Sequence, residues 1–248
     1  MNRVLVTGAS GGIGRAVATA FAARGKRVAV HYSTRRAEAE RTLAGLDGGG
    51  HVLVGGDVAD PETAERVVAE AAEGLGGLDV LVNNAAANTA HPIATTSYAD
   101  WTAAWRHVVD VNLVGAANLS YCAAQVMIRQ GSGGRVINIG SRGAFRGEPD
   151  HPAYGASKAG LHALGQSLAV ALAPHGIAVT SVAPGFVTTD RVADRLTGES
   201  GERIRAQSPF GRVAEPEEIA SAVLWLASPE ATWASGTVVD LNGASHLR

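Results

Sequence analysis

The chain has 248 residues, 46% hydrophobic and 18% charged, enough to bury a large core in one domain or at most two. A formal net charge of −2 provides no long-range attraction to nucleic acid or an anionic membrane, so neither is expected as a partner. Cys122 is the only cysteine, which excludes an intrachain disulfide and a cysteine metal cluster. Strand-like RVLVTG follows Met1 at once, and no apolar run reaches the roughly 18 residues of a span, so a cytoplasmic protein is expected.

Short β-branched runs alternate with longer amphipathic or alanine-rich segments. Strands are expected at 3–7, 27–32, 51–54, 79–82, 135–139, 178–182 and 237–241, and helices at 12–24, 36–46, 61–73, 98–129, 154–172 and 216–227. Nearly continuous Val/Ile/Leu runs suit strands buried on both faces, as in a parallel sheet covered by helices. Asp60-Pro61-Glu62 and Glu215-Pro216-Glu217-Glu218 read as helix starts, with proline in the first turn and acids at the positive end of the dipole. No linker, repeat or low-complexity tract interrupts the alternation. The expectation is an α/β fold of one domain, 1–248, with a doubly wound, mostly parallel sheet of seven strands.

The first strand runs into TGASGGIGRA at 7–16, with glycines at 8, 12 and 14. Glycine allows a tight turn and close approach of a ligand, and the amides that open the next helix can face a pyrophosphate. A strand–helix turn without a ligand is the plainer alternative. Further on, HPAYGASKAGLHAL at 151–164 places Tyr154 and Lys158 one helical turn apart on one face. A free tyrosine has a pKa of about 10, and a cation beside it favours phenolate, so the pair suits proton transfer to or from a carbonyl oxygen. The plainer alternative here is an ordinary amphipathic helix start.

These motifs, together with Asp57-Val58, NNAA at 83–86, Asn112, Ser141 thirteen residues before Tyr154, and Pro184-Gly185, resemble the short-chain dehydrogenase/reductase family from end to end. The resemblance implies a Rossmann fold and a nicotinamide cofactor. It implies a catalytic set of Asn112, Ser141, Tyr154 and Lys158, with Lys158 also on the ribose and Asn112 holding a water. It implies cofactor contacts from Gly8, Ser10, Gly11, Gly12, Ile13 and Gly14 at the turn. Others would come from Ser33, Thr34 and Arg35 after the second strand, Asp57 and Val58, Asn83 or Asn84, Ala85 and Ala86, and Pro184, Gly185, Val187 and Thr189. The family more often has glycine where this chain has Ala86.

The second strand ends VHYSTRRAE, with Tyr32 where NAD-selective members of the family carry aspartate. Ser33, Thr34, Arg35 and Arg36 offer two hydroxyls and two guanidiniums to a 2′-phosphate, which favours NADP(H) over NAD(H). Gly11 lacks the basic residue of many NADP-using relatives. Alternatively, Arg35 and Arg36 are a solvated helix start paired with Glu38 and Glu40.

The substrate pocket is expected from 87–92, 142–153 and the segment after Phe186, with the polar stretch 188–210 as a lid. Arg142 either meets a substrate carboxylate or phosphate or pairs with Glu148 or Asp150. His151 is equally open, and the histidine spacing predicts no catalytic metal. Similarity is greatest to 3-oxoacyl-carrier-protein reductases, which implies reduction of a small-molecule ketone. An NAD-dependent alcohol or sugar dehydrogenase and a non-catalytic nucleotide sensor are the alternatives. A carrier protein wants a basic patch, and only Arg129, Arg135 and His175 are on offer. Apolar residues on several faces of 98–129 and 154–172 suggest a partner copy, and the resemblance implies a homotetramer, with a dimer as the alternative.

Overall fold

The computed structural model describes residues 1–248 apart from the side chain of Arg191. Its strands are β1 (Arg3–Val6), β2 (Arg27–Tyr32), β3 (Val52–Gly55), β4 (Val80–Asn83), β5 (Gly134–Ile139), β6 (Ile177–Pro184) and β7 (Val238–Leu241). They form one sheet in the order β3-β2-β1-β4-β5-β6-β7, and every pairing is parallel. The helices are α1 (Gly12–Ala22), α2 (Arg36–Ala44), α3 (Pro61–Leu75), α4 (Tyr98–Val109), α5 (Ala116–Gln130), α6 (Pro152–Leu172), α7 (Gly198–Arg205) and α8 (Pro216–Leu226).

Alternate residues of each strand face opposite layers, as the pleat requires. Val4, Val6, Val28, Val30, Val80 and Val82 pack with Val17 and Phe21 of α1 and with Ile219 and Val223 of α8. Leu5, Ala29, Leu81, Val136 and Val179 pack on the other side with Val67 and Leu75 of α3 and Leu119 and Met127 of α5. Each fully buried Val or Leu is worth about 1.5–3 kcal/mol, which is why both layers form. Strand order reverses at the β1/β4 boundary, so the connections leave in opposite directions and open a crevice at the strands' carboxyl ends.

The expected helix starts form as read. Asp60 accepts from the Thr63 amide at 2.9 Å with Pro61 in the first turn, and the Glu215 amide donates to Glu218 Oε2 at 2.8 Å. Three features differ from the sequence reading. The 98–129 helix is divided by a π turn at Asp110–Gly115. The whole helix Tyr98–Gln130 is long and apolar enough to cross a membrane by length and composition, contrary to expectation. The 188–210 stretch contains a 3-10 segment, Asp190–Leu196, and α7, whose glycines and charges had masked any helical period.

Candidate active site

A cavity of about 810 Å³ opens at the carboxyl ends of the strands. It is lined by the expected residues Gly8, Ser10, Gly11, Gly12, Ile13, Ser33, Thr34, Arg35, Asp57, Val58, Asn84, Ala85, Ala86, Ser141, Tyr154, Lys158, Pro184, Gly185, Val187 and Thr189. Gly14, Asn83 and Asn112 do not line it.

The turn after β1 fits a dinucleotide. Gly11, the residue before α1, provides no side-chain cap, so the first amides of α1 open at the cavity as donors for a diphosphate. Gly12 has φ +52°, a conformation L side chains rarely adopt, and a Cβ there would lie 3.1 Å from Thr189 Cγ2. Gly14 acts one layer down: a Cβ would overlap Gly8 O and stand 2.5 Å from Asn84 Nδ2. It therefore permits the turn and is not a wall of the groove.

Two residues that the sequence reading missed hold this turn. Thr7 Oγ1 accepts from the amides of Asn84 at 2.9 Å and Ala85 at 3.0 Å, locking the β1 and β4 ends together. His31 is 1% exposed, and its Nδ1 accepts from the Gly8 amide at 3.1 Å. Nδ1 must then be unprotonated, so Nε2–H donates to Gly56 O at 3.0 Å. Burial pulls this imidazole down to about 4, opposed by the Gly56 carbonyl and the Asp57 charge. The available signal was a histidine inside the buried run VAVHY of β2.

Asn83 corrects the expectation of an adenosine contact. It is 4% exposed, and its Nδ2 donates to Ser120 Oγ and Asn138 Oδ1, both at 2.9 Å, within the core. The neighbouring Asn84 turns to the cavity instead, its Nδ2 donating to Thr7 O at 2.8 Å and Gly8 O at 3.1 Å. Opposite faces for consecutive residues are the rule of an extended strand end.

Past β2 the two arginines separate. Arg36 Nε pairs with Glu40 Oε1 at 2.8 Å, and Glu38 takes Arg41 at 3.3 Å, as a solvated helix would. Arg35 lies over Gly11 instead: a Cβ on that glycine would be 3.4 Å from Arg35 Nη2. No Glu or Asp pairs with Arg35 among the described residues.

At the other end of the groove, Ser141 follows β5 and its Oγ accepts from the Gly143 amide at 2.9 Å. α6 brings Tyr154 and Lys158 to the same wall. Lys158 is 2% exposed, its Nζ donates to Ile139 O at 2.8 Å and lies 5.7 Å from the Tyr154 ring centroid. Asn112, on the π turn, is 1% exposed and clamps the loop after β4: its Oδ1 accepts from the Ala87 amide at 2.7 Å, and its Nδ2 donates to Ala87 O and Ser157 Oγ at 3.0 Å. Its side chain ties that loop to Ser157 of α6.

The substrate end is polar, with Asn88, His107, Glu148 and His151 on the wall and Phe186 beside Arg142. His151 precedes α6, and its Nδ1 is buried without a hydrogen-bond partner among the described residues. Arg135, one of three candidates for a carrier-protein patch, is buried instead, with Nη2 on Thr232 Oγ1 at 2.6 Å.

A family model described as enoyl-(acyl carrier protein) reductase matches residues 8–246. An L-rhamnose 1-dehydrogenase (NAD(P)(+)) of Sphingomonas sp. (strain SKA58) is 38% identical, over 98% of this chain and 96% of that protein. The 3-oxoacyl-[acyl-carrier-protein] reductase FabG of Vibrio cholerae is 36% identical, over 98% of this chain and 96% of its own. The crystal structure of acetoin dehydrogenase YohF from Salmonella typhimurium superposes with a TM-score of 0.85 at 31% identity, covering 98% of this chain and 94% of that one. All-parallel sheet, glycine turn and full-length likeness agree, and the chain belongs to the short-chain dehydrogenase/reductase family of oxidoreductases.

Proposed function

We propose that this protein is an NADP(H)-favouring oxidoreductase that reduces a ketone to a secondary alcohol, with Tyr154 as acid and base. The observation that carries the reading is that Ser141, Tyr154 and Lys158 line the same cavity as the glycine turn. A nicotinamide cofactor held along the glycine turn, Arg35 and Asn84 would supply hydride chemistry at the carbonyl carbon, in either direction. Tyr154 gives its proton to the carbonyl oxygen, and the Lys158 ammonium favours the phenolate left behind. Ser141 Oγ accepts from the Gly143 amide, which leaves its hydroxyl proton to donate to the same oxygen as charge develops. Asn112 is a positioning residue that holds Ala87.

The preference for NADP(H) is supported by Arg35, with Ser33 and Thr34 on the same wall and no acid ending β2. A 3-oxoacyl or related carbonyl is the first substrate reading, supported by the 36% identical reductase. The polar wall of Asn88, His107, Glu148 and His151 favours a second, a small hydroxylated carbonyl compound of the sugar class. Residues 188–210 act as the lid. Tyr121 and Val170, 66% and 79% exposed on α5 and α6, and Trp233, 96% exposed, support a homotetramer, with a dimer as the smaller form.

The test is NADPH oxidation with a 3-oxoacyl thioester beside a panel of aldoses and ketoses, for wild type and Tyr154→Phe, with NADH in parallel. Turnover with NADPH that falls at least about a hundredfold in the variant supports the reading. Turnover unchanged in Tyr154→Phe, or faster with NADH, overturns the part it addresses.

A further inference from the structure

Arg142 directly follows Ser141, is 4% exposed and lines the cavity. Arginine is rarely buried to this degree without an anion. The sequence left open an ion pair with Glu148 or Asp150, and Arg142 makes neither among the described residues. Its Nη1 donates to Ser245 Oγ at 2.6 Å and its Nη2 to Gln207 Oε1 at 2.9 Å, both neutral acceptors. Three of its five N–H groups remain without a described acceptor. Burial holds its pKa below the usual arginine value, Arg146 adds to the effect, and the Glu148 charge opposes it.

Arg195 also lines the cavity, and the guanidinium carbons of Arg142 and Arg195 lie 5.3 and 5.2 Å from the Phe186 ring centroid. Arg146 Nη1 shares Gln207 Oε1 at 3.2 Å. The acids on the cavity wall, Asp57, Glu148 and Asp190, pair with none of these arginines among the described residues. Glu148 stands against Gly143, where a Cβ would be 3.1 Å from its Oε1, and its charge acts on Arg142 without a hydrogen bond or ion pair to it among the described residues.

We propose that the carbonyl substrate carries a carboxylate, bound by Arg142 and Arg195 beside Phe186 while its ketone lies against Ser141 and Tyr154. The inference rests on the oxidoreductase reading of the same cavity and names the substrate class for it. A planar guanidinium with N–H groups to spare takes a carboxylate through two parallel hydrogen bonds, and burial strengthens them. Arg142, Arg195 and Phe186 line the same cavity as Ser141 and Tyr154, which describes an oxo acid.

The experiment compares NADPH oxidation with 2-oxo, 4-oxo and 5-oxo acids, with their methyl esters, and with a neutral ketone. At least one acid should exceed its ester about tenfold or more in kcat/KM, through KM, as expected for hydrogen bonds to a charged group. Inorganic sulfate should compete with that acid in the unmodified enzyme. The acid-to-ester ratio should collapse to about twofold or less in Arg142→Gln and in Arg195→Gln. Arg195→Gln and the sulfate measurement stand if Arg142→Gln does not fold. Esters or the neutral ketone used as well as the acids would overturn the carboxylate and leave the oxidoreductase reading intact. No turnover with any of them, despite NADPH binding, would overturn both.

Discussion

Acidification should act on this protein through His31, and the effect can be worked from its contacts. The folded imidazole is held neutral at about 4 against an ordinary 6.5, chiefly by burial. The unfolded chain therefore takes up a proton first as pH falls. The native state is fully favoured above about 6.5 and loses stability toward 4, below which the loss levels off. A drop of that size corresponds to roughly 3 kcal/mol. His162, also lowered to about 4 by burial, contributes with the same sign, so the two must be separated by mutation. His31→Leu removes the titrating group and leaves the Gly8 amide without its acceptor, a cost of about 1–3 kcal/mol at neutral pH. Urea unfolding free energies measured from pH 4 to 7.5 at fixed protein concentration should show wild type falling more steeply than the variant, the two curves converging near pH 4. Parallel curves would refute the lowering of the His31 pKa by burial.

Three further outcomes follow from the geometry. Gly14→Ala puts a methyl into Gly8 O and Asn84 Nδ2, so it should weaken NADPH binding about tenfold or more and destabilise by about 1–3 kcal/mol, read by fluorescence titration and thermal melts. Arg35→Gln should raise the Kd of NADPH about tenfold and leave that of NADH within about twofold, and equal effects on both would remove the 2′-phosphate role. Asn83→Leu strands Asn138 Oδ1 and Ser120 Oγ without a donor in the core, so it should cost about 1–3 kcal/mol in denaturant unfolding, with a normal NADPH Kd in the protein that remains folded.

The sequence by itself determined what depends on neighbours along the chain. Strand–helix alternation follows from period-2 and period-3.6 burial. The caps at Asp60 and Glu215 are made within three residues. Tyr154 and Lys158 share a wall because four residues make one turn of α6. Long-range contacts decided the rest. Arg142 meets Ser245 and Gln207, 103 and 65 positions away, so no local pattern could say whether Glu148 or Asp150 would neutralise it. Which of Asn83 and Asn84 turns to the cavity depends on the register of β4 against β1 and β5, since a strand's side chains alternate and only its neighbours fix which face is inside. Arg35 and Arg36 are indistinguishable in sequence, yet one crosses Gly11 and the other pairs along α2. Asn112 sits in a helical run whichever way it is read, and only the π turn and the Ala87 loop packed against it give its amide a use.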